Sequence, residues 1–320
     1  MRSIDGSLPS PPSTREGTKP VISLPNSAHR RAIILMIIAP VLWSIAGVVT
    51  RQLSPELQTH GRFEITFWRS VFAAIFVGGF LLARRDFVGS LRRTGIAGLM
   101  SGAMWAVMFT CFMLALTLTS TANTLIVLAV GPLTTALLAR AVLKAPIAPR
   151  TWAAIAIAMV GIGAMFADSL RIESRAAVLG MLIAFATPLA AAINVVILKK
   201  RGKSVDLIPA VFLGGTISAA VVLPFAWPFM ADTRDIALLA LLGFFQLGLP
   251  CTLLVIAARH LSATEVALLA LLEVVLGPLW AWLGAGEVPA SSALFGGALV
   301  LSALILNELV AAGRAASARR

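Results

Sequence analysis

The sequence predicts an all-α integral membrane protein with ten transmembrane helices, arranged as two inverted repeats of five helices each. Three observations lead to this prediction: the composition, the spacing of the apolar runs, and a similarity between the two halves of the chain. Of the 320 residues, 59% are hydrophobic and 12% are charged, whereas soluble domains usually carry about 25% charged residues. The mean hydropathy is +0.93. A soluble fold has too little interior for this much apolar surface, so the excess must face lipid.

The apolar runs are long enough to cross a bilayer, which takes about 20 residues of helix. Charged or turn-rich breaks divide the chain into ten such runs. They cover residues 33–52, 63–83, 94–116, 120–140, 151–168, 177–198, 207–230, 235–258, 262–285 and 291–311. Very short links, such as 117–119 and 286–290, require the helices that they join to be antiparallel neighbours.

The positive charges test this count, because loops on the cytoplasmic side of a membrane carry an excess of Lys and Arg. With the N-terminus in the cytoplasm, 20 of the 26 Lys and Arg residues fall on the cytoplasmic side and 5 on the other side. The last one, Arg69, lies within the second span. A missing or additional helix would reverse every later loop. The distribution therefore predicts ten helices in a bacterial inner (plasma) membrane, with both termini in the cytoplasm.

The segments outside the spans differ in composition. Residues 1–29 are rich in Ser, Pro and Thr, and we expect a disordered cytoplasmic tail with no cleaved signal peptide. The first five-helix repeat is expected over 30–168, the second over 169–312, and a basic cytoplasmic tail over 313–320. The net charge of +12 is distributed between the apolar runs, so we expect membrane lipid and no nucleic acid as a partner.

The second half of the chain repeats features of the first. Residues 120–167 align with 262–309 at an offset of 142 without gaps, and Ala39–Pro40 in the first span has a counterpart in Thr187–Pro188 in the sixth. A repeat with an odd number of helices must place its second copy upside down in the membrane. In proteins built this way a ligand usually binds near the midplane between the halves, and Pro in matching spans fits locally bent helices.

The ninth span carries a recognisable motif. The segment 262–274, followed about one helix later by Gly286–Glu287, resembles the EamA signature, in which Leu-Glu-Pro precedes Gly-Glu. The sequence departs from it at Val274, where the family usually has Pro, and the first repeat keeps that Pro as Pro132. Over 32–311 the chain resembles the drug/metabolite transporter superfamily, and within it most of all bacterial amino-acid exporters. The resemblance implies ten helices in two inverted halves around a cavity lined by helices 1–4 and 6–9, and it does not fix the substrate.

Seven polar or aromatic residues inside the spans are candidates for substrate binding. They are Trp43, Arg69, Trp105, Asn123, Asn194, Gln246 and Glu273. Ionisable groups at the centre of a membrane helix cost about 2.5–3.5 kcal/mol or more, so each of them needs a partner or a function.

Two ionisable candidates lie deep in the membrane. Glu273 is roughly 16 Å into the ninth span, close to the midplane. It either binds a substrate ammonium group or a proton, or is a protonated side chain hydrogen-bonded between helices. Arg69 lies about 9 Å into the second span, where it binds a substrate carboxylate, snorkels to the interface or pairs with Glu64. Glu265, by contrast, belongs to the helix-capping sequence Ser262-Ala-Thr-Glu265.

The amides and aromatic residues each have two interpretations. Asn123, Asn194 and Gln246 either contact a substrate or hydrogen-bond between helices, as polar residues in membrane proteins commonly do. Trp43 and Trp105 lie away from the interfacial zones where Trp concentrates. They either stack on a substrate in a cavity or pack against neighbouring helices.

These residues favour a transporter over an enzyme. The three histidines, His29, His60 and His260, lie at loop positions, and the sequence has no metal-ligand spacing, nucleophile elbow or phosphate loop. We therefore expect no catalytic residue, no metal and no cofactor. We expect export of small metabolites, amino-acid-like in chemistry, by alternating access around a midplane cavity. Export of drugs or other metabolites and lipid translocation are alternatives within the same fold, and a membrane enzyme or a channel is a more distant one.

Overall fold

The computed structural model describes residues 27–119, 121–165, 174–202, 204–285 and 291–317, and every regular element within these ranges is a helix. The elements follow one another in chain order. They are α1 (Ser27–Ser44), α2 (Ala46–Thr50), α3 (Pro55–His60), α4 (Arg62–Ala83), α5 (Phe87–Leu118), α6 (Thr121–Leu128), α7 (Gly131–Leu143), α8 (Pro149–Met165), α9 (Arg175–Arg201), α10 (Ile208–Ala226), α11 (Thr233–Leu241), a π-helical segment (Leu242–Gly248), α12 (Leu249–Ala257), α13 (Ala263–Ala270), α14 (Leu272–Ala285) and α15 (Ser291–Ser317). The expected tail over 1–29 lies outside the described residues up to residue 26.

Seven helical segments among the described residues are long and apolar enough to cross a membrane. They are Ser27–Thr50, Arg62–Ala83, Phe87–Leu118, Asn123–Leu143, Arg175–Arg201, Ile208–Ala226 and Thr233–Ala257. Two further helical segments, Pro149–Met165 and Leu294–Asn307, are apolar but shorter than these seven. Large apolar side chains cover the outside of these helices: Ile96 is 78% exposed, and Leu182 and Val160 are each 67% exposed. This surface belongs against lipid and not against water, so the chain is a multi-pass membrane protein.

Several helices are interrupted, and two of the interruptions occupy matching positions in the two halves. One separates α6 from α7 at Ala129–Val130, and the other separates α13 from α14 at Leu271. Tightened i to i+3 hydrogen bonds mark both: the amide of Val130 donates to Val127, and that of Leu271 donates to Leu268. Pro132 contributes to the first, because it cannot donate the helical hydrogen bond. The second forms without proline, since position 274 is Val.

Several boundaries differ from those predicted, by up to seven residues, and two of the differences have a local cause in the backbone. The third span was expected from residue 94, but α5 begins at Phe87 and passes through Gly95, whose φ of 55° and ψ of −153° are not helical. Glycine adopts this conformation without the steric cost that a side chain would bring. The seventh span was expected to reach residue 230, but α10 ends at Ala226 because Trp227 precedes a proline and is extended, with φ −85° and ψ 139°.

The helices pack as an interleaved bundle. α4 packs on α10, α5 packs on both α9 and α10, and α8 packs on α15. α7 packs on α9, and α1 packs on α12, α13 and α14. The α8–α15 contact is close because glycines meet there: a Cβ atom added at Gly161 would lie 2.9 Å from the carbonyl oxygen of Gly296. A central space is left where α1, α4, α5, α7, α9, the π-helical segment and α14 converge.

Candidate functional site

A cavity of about 160 Å³ lies between the two halves of the chain. Its walls are mainly apolar and aromatic. The lining residues are Trp43, Arg69, Trp105, Met108, Phe109, Phe112, Leu128, Gly131, Pro132, Thr135, Thr187, Pro188, Ala191, Val195, Gln246, Leu247, Cys251, Leu254, Val266, Ala267, Ala270, Leu271, Glu273 and Val274. Seven of the ten predicted spans contribute to this lining within the described structure, and α8, α10 and α15 do not. The resemblance implied a contribution from the seventh span, α10, which packs instead behind α4 and α5.

Arg69 is the cation of the cavity. It projects from α4 and is 2% exposed, so it does not snorkel to the interface. Its Nη2 donates a hydrogen bond of 2.5 Å to Oε1 of Gln246. Its Nε is buried and has no hydrogen-bond partner among the described residues.

Glu64 is not the partner of Arg69, although the sequence allowed that pairing. The Glu64 carboxylate is 1% exposed and accepts hydrogen bonds from the backbone amides of Met230 at 2.8 Å and Ala231 at 2.9 Å. The indole of Trp68 donates a third bond, 3.3 Å long. Through these hydrogen bonds Glu64 joins α4 to the segment that precedes α11. It does not pair with Arg69, whose side chain lines the cavity.

Glu273 is the acid of the cavity. It lies in the first turn of α14, directly after the interruption at Leu271. The N-terminus of a helix carries partial positive charge, so a carboxylate is stabilised there. Within the described residues Glu273 lines the cavity and makes neither a hydrogen bond nor an ion pair. Its carboxyl group is therefore available to a ligand in the cavity.

Both candidate tryptophans line the cavity. The backbone carbonyl of Trp43, at the end of α1, accepts a 3.3 Å hydrogen bond from Nε2 of Gln246. The ring of Trp105 packs against Phe109 with 5.7 Å between centroids. Trp105 is 1% exposed, and its indole nitrogen has no hydrogen-bond partner in the described part of the chain.

The two candidate asparagines are not among the described residues that line the cavity. Asn194 is buried between α9 and α5, where its Oδ1 accepts a 2.6 Å hydrogen bond from Ser101. The Nδ2 of Asn123 donates a 2.8 Å bond to Thr119. The contact of Asn194 favours the interhelical hydrogen bonding that the sequence left open, whereas the described bond of Asn123 is to a residue four positions earlier in the chain.

Sequence reasoning missed several lining residues. Phe109 and Phe112 are single aromatic residues in a long apolar helix, and nothing in the sequence distinguishes them from core residues. Thr187 and Pro188 had a usable signal, because they match Ala39–Pro40 in the first span. Thr187 Oγ1 is also buried without a hydrogen-bond partner among the described residues.

Polar contacts close the bundle beyond both ends of the cavity. At one end, the carboxylate of Asp235 accepts hydrogen bonds from the amide of Ser54 at 2.9 Å and from its hydroxyl at 2.6 Å. At the other end, Asp206 forms ion pairs with Arg84 at 3.3 Å and Arg259 at 2.9 Å. The second end also has the capping box of Ser262 and Glu265, as the sequence predicted.

A family model matches the chain twice, over residues 30–167 and 178–309, and its description is the EamA-like transporter family. The chain belongs to the EamA-like transporter family. The predicted membership of the drug/metabolite transporter superfamily is thereby confirmed. The Gly286–Glu287 part of the motif lies outside the described residues.

Two curated relatives are similar along most of their length. They are pseudopaline exporters named CntI from Pseudomonas aeruginosa, in strains UCBPP-PA14 and PAO1. They are 27% and 28% identical to the chain over 283 residues, which are 86% of this chain and 95% of each relative. A solved crystal structure superimposes with a TM-score of 0.74 and 17% identity, over 88% of this chain and 98% of that one. That likeness establishes the fold alone. The protein is a membrane transporter of this family.

Proposed function

We propose that the protein exports small amino-acid-like metabolites across the bacterial inner membrane by alternating access around the central cavity. The observation that carries this proposal is that Arg69 and Glu273 both line one cavity with apolar and aromatic walls. A buried guanidinium suits a carboxylate, and an unpaired carboxylate suits an ammonium group. The walls suit an apolar or aromatic side chain, so a small zwitterion has a complementary surface for each of its parts.

The packing of the helices supports two inverted repeats of five helices. Under the proposal, spans one to five are α1–α2, α4, α5, α6–α7 and α8, and spans six to ten are α9, α10, α11–α12, α13–α14 and α15. Exchanging each span for its counterpart turns the α5–α9 contact into the α12–α1 contact, and the α7–α9 contact into the α14–α1 contact. The α4–α10 and α8–α15 contacts each join a span to its own counterpart, so the exchange leaves them unchanged. An internal two-fold axis predicts this pattern.

The contacts at the two ends support the proposed orientation. Four segments that the charge distribution assigns to the cytoplasm contact one another: Asp206 contacts Arg84 and Arg259, and His29 contacts the carbonyl of His260. The segments assigned to the outside likewise contact each other, as Ser54 does with Asp235. The excess of Lys and Arg at the first end favours it as the cytoplasmic one, with both termini there.

Export is proposed because the two curated relatives are exporters. They act on pseudopaline, so their likeness supports export of a small metabolite and does not by itself select amino acids. The choice of amino-acid-like substrates rests on the charges and walls of the cavity. The family and the cavity both favour transport without catalysis, and the proposal includes no cofactor and no metal.

Uptake into liposomes tests the proposal. Purified protein is reconstituted, and uptake of labelled L-leucine, L-phenylalanine, L-methionine and L-alanine is compared with uptake by empty liposomes. We expect saturable uptake of at least one of them, and its loss in Arg69→Ala and Glu273→Ala proteins that remain folded. The matched controls are Arg92→Ala and Glu56→Gln, which change exposed charges outside the cavity. Normal uptake by both cavity variants would contradict the assigned site, and absence of uptake of all four would contradict the amino-acid assignment.

A further inference from the structure

In the guanidinium of Arg69, only one of two neighbouring hydrogen-bond donors has a partner among the described residues. The Nε and Nη2 atoms of arginine form a fork whose two N–H groups point the same way and match the two oxygens of a carboxylate. In Arg69, Nη2 donates to Gln246 Oε1 at 2.5 Å, whereas Nε is buried without a hydrogen-bond partner among the described residues. A single amide oxygen therefore stands where a carboxylate would place two.

The orientation of the Gln246 amide is fixed by its second hydrogen bond. Its Nε2 donates at 3.3 Å to the backbone carbonyl of Trp43, which can only accept. Arg69 can only donate, so the amide oxygen must face the guanidinium. Gln246 is 2% exposed and lies in the π-helical segment Leu242–Gly248. The widened turn of a π-helix is a frequent feature of functional sites.

A buried donor without an acceptor is costly, and native proteins rarely leave one without a reason. In Arg69 the unpaired donor is next to a neutral acceptor. A ligand carboxylate would displace that acceptor, because it adds its own negative charge and can form a bidentate pair of hydrogen bonds with Nε and Nη2. The arrangement fits a guanidinium whose second donor binds the carboxylate of a ligand.

We propose that Gln246 is a substrate stand-in: it holds Arg69 in the empty cavity, and the carboxylate of the substrate displaces it and fills both Nε and Nη2. Gln246 is then a specificity-determining residue, since it sets how strongly a ligand oxygen must compete for Arg69. The inference rests on the proposed function, because it takes the ligand to carry a carboxylate. It adds that the empty site already contains a competitor for that carboxylate.

Two isosteric substitutions separate this role from a structural one. Gln246→Glu gives up the bond to the Trp43 carbonyl and supplies two carboxylate oxygens from the protein itself, which turn to both donors of the fork and exclude the ligand. Gln246→Met keeps the length of the side chain and removes the competitor. For L-leucine uptake we expect the KM to rise at least about tenfold in Gln246→Glu, which corresponds to about 1.4 kcal/mol. In Gln246→Met we expect it to stay at the wild-type value or fall. Gln52→Glu, on the exposed outer loop, is the matched control.

A competitor without a carboxylate provides the second readout. L-leucinamide keeps the ammonium group and side chain of leucine, and we expect its inhibition of L-leucine uptake to change less than about threefold in Gln246→Glu. The proposal is overturned by equal increases of the L-leucine KM in Gln246→Glu and Gln246→Met, or by equal losses of affinity for leucine and leucinamide.

Thermal unfolding of the ligand-free protein tests the contact with Arg69 independently of transport. We expect Gln246→Met to melt below the wild type, and Gln246→Glu, which loses the bond to the Trp43 carbonyl but pairs with Arg69, to melt above Gln246→Met. A lower Tm for Gln246→Glu than for Gln246→Met would overturn the proposal. If the wild type takes up no amino acid, the proposed function fails, and this unfolding result still decides whether residue 246 occupies the fork of Arg69.

Discussion

Glu273 in α14 and Gly131 in α7 occupy matching positions in the two halves, 142 residues apart, and both line the central cavity. Each lies just after the interruption of its helix, so the two half-helices start at the same place in the site. In transporters built from inverted repeats, interrupted helices often point the N-terminus of a half-helix at the bound ligand. Only the second half supplies an acid there. The cavity is therefore electrically asymmetric although its backbone is built from matching parts.

This asymmetry predicts the effect of neutralising Glu273. Glu273→Gln keeps the size of the side chain and removes the charge that would face an ammonium group. We expect at least about a tenfold loss of kcat/KM for L-leucine uptake in liposomes, which corresponds to about 1.4 kcal/mol. The exposed Glu56→Gln variant should transport like the wild type. Equal activity of the two variants would exclude Glu273 from the site.

A second prediction concerns the buried pair of Ser101 and Asn194. Ser101→Ala removes the 2.6 Å hydrogen bond and leaves Oδ1 of Asn194 without that donor. We expect the free energy of unfolding to fall by about 1–3 kcal/mol, with little change in the KM of uptake. Ser204→Ala, on an exposed loop, should change neither. An increased KM with an unchanged Tm would instead assign this pair to substrate binding.

A third prediction concerns the end of the bundle at which Glu64 lies. Glu64→Gln turns an acceptor of three hydrogen bonds into an amide whose NH₂ group faces backbone N–H donors. We expect a loss of about 2 kcal/mol in the free energy of unfolding, measured as a lower Tm in detergent. Glu56→Gln, at the same end and exposed, is the control. If both variants melted together, the carboxylate of Glu64 would have no part in stabilising this end.

A fourth prediction tests the close packing of the π-helical segment on α4. A Cβ atom added at Gly243 would lie 2.3 Å from Cβ of Phe72 and 2.9 Å from the carbonyl oxygen of Arg69, whereas one added at Gly79 would meet nothing within 4 Å. We expect Gly243→Ala to destabilise the protein by about 1–3 kcal/mol. Gly79→Ala should stabilise it slightly, since alanine favours a helix over glycine by up to about 1 kcal/mol. Similar melting temperatures for the two variants would contradict this packing.

The sequence predicted the helical membrane character of the chain because composition and run length determine it directly. Of the candidate site, three polar residues could be selected because polar groups are rare inside spans, and two tryptophans because they lie away from the interfaces. They are Arg69, Gln246, Glu273, Trp43 and Trp105. Their contacts could not be predicted. The bond between Arg69 and Gln246 joins residues 177 apart in the chain. It also depends on a π-helical turn, which no residue type in the sequence predicts.

The same limit explains the asparagines and the break in the ninth span. Asn194 looked as suitable for a ligand as Gln246 did, and only the position of Ser101 distinguishes them. The interruption at Leu271 forms without the proline that Pro132 provides in the first half, so no local signal marked it. Sequence reasoning therefore identified the polar residues and could not identify their partners.

The contacts that hold the two ends of the bundle together differ in their exposure to solvent. At the end proposed to face outward, Glu64 and Asp235 are each 1% exposed and accept hydrogen bonds from backbone amides. At the end proposed to face the cytoplasm, the side chains of the ion pair between Asp206 and Arg84 are 34% and 47% exposed. Exposed pairs contribute only about 0.2–1 kcal/mol and are screened by salt. Under the proposed orientation and direction of transport, the ions of the cytoplasm would weaken the exposed pairs at the inner end more than the buried contacts at the outer end. We therefore expect the bundle to open more readily on the side from which an exporter is loaded.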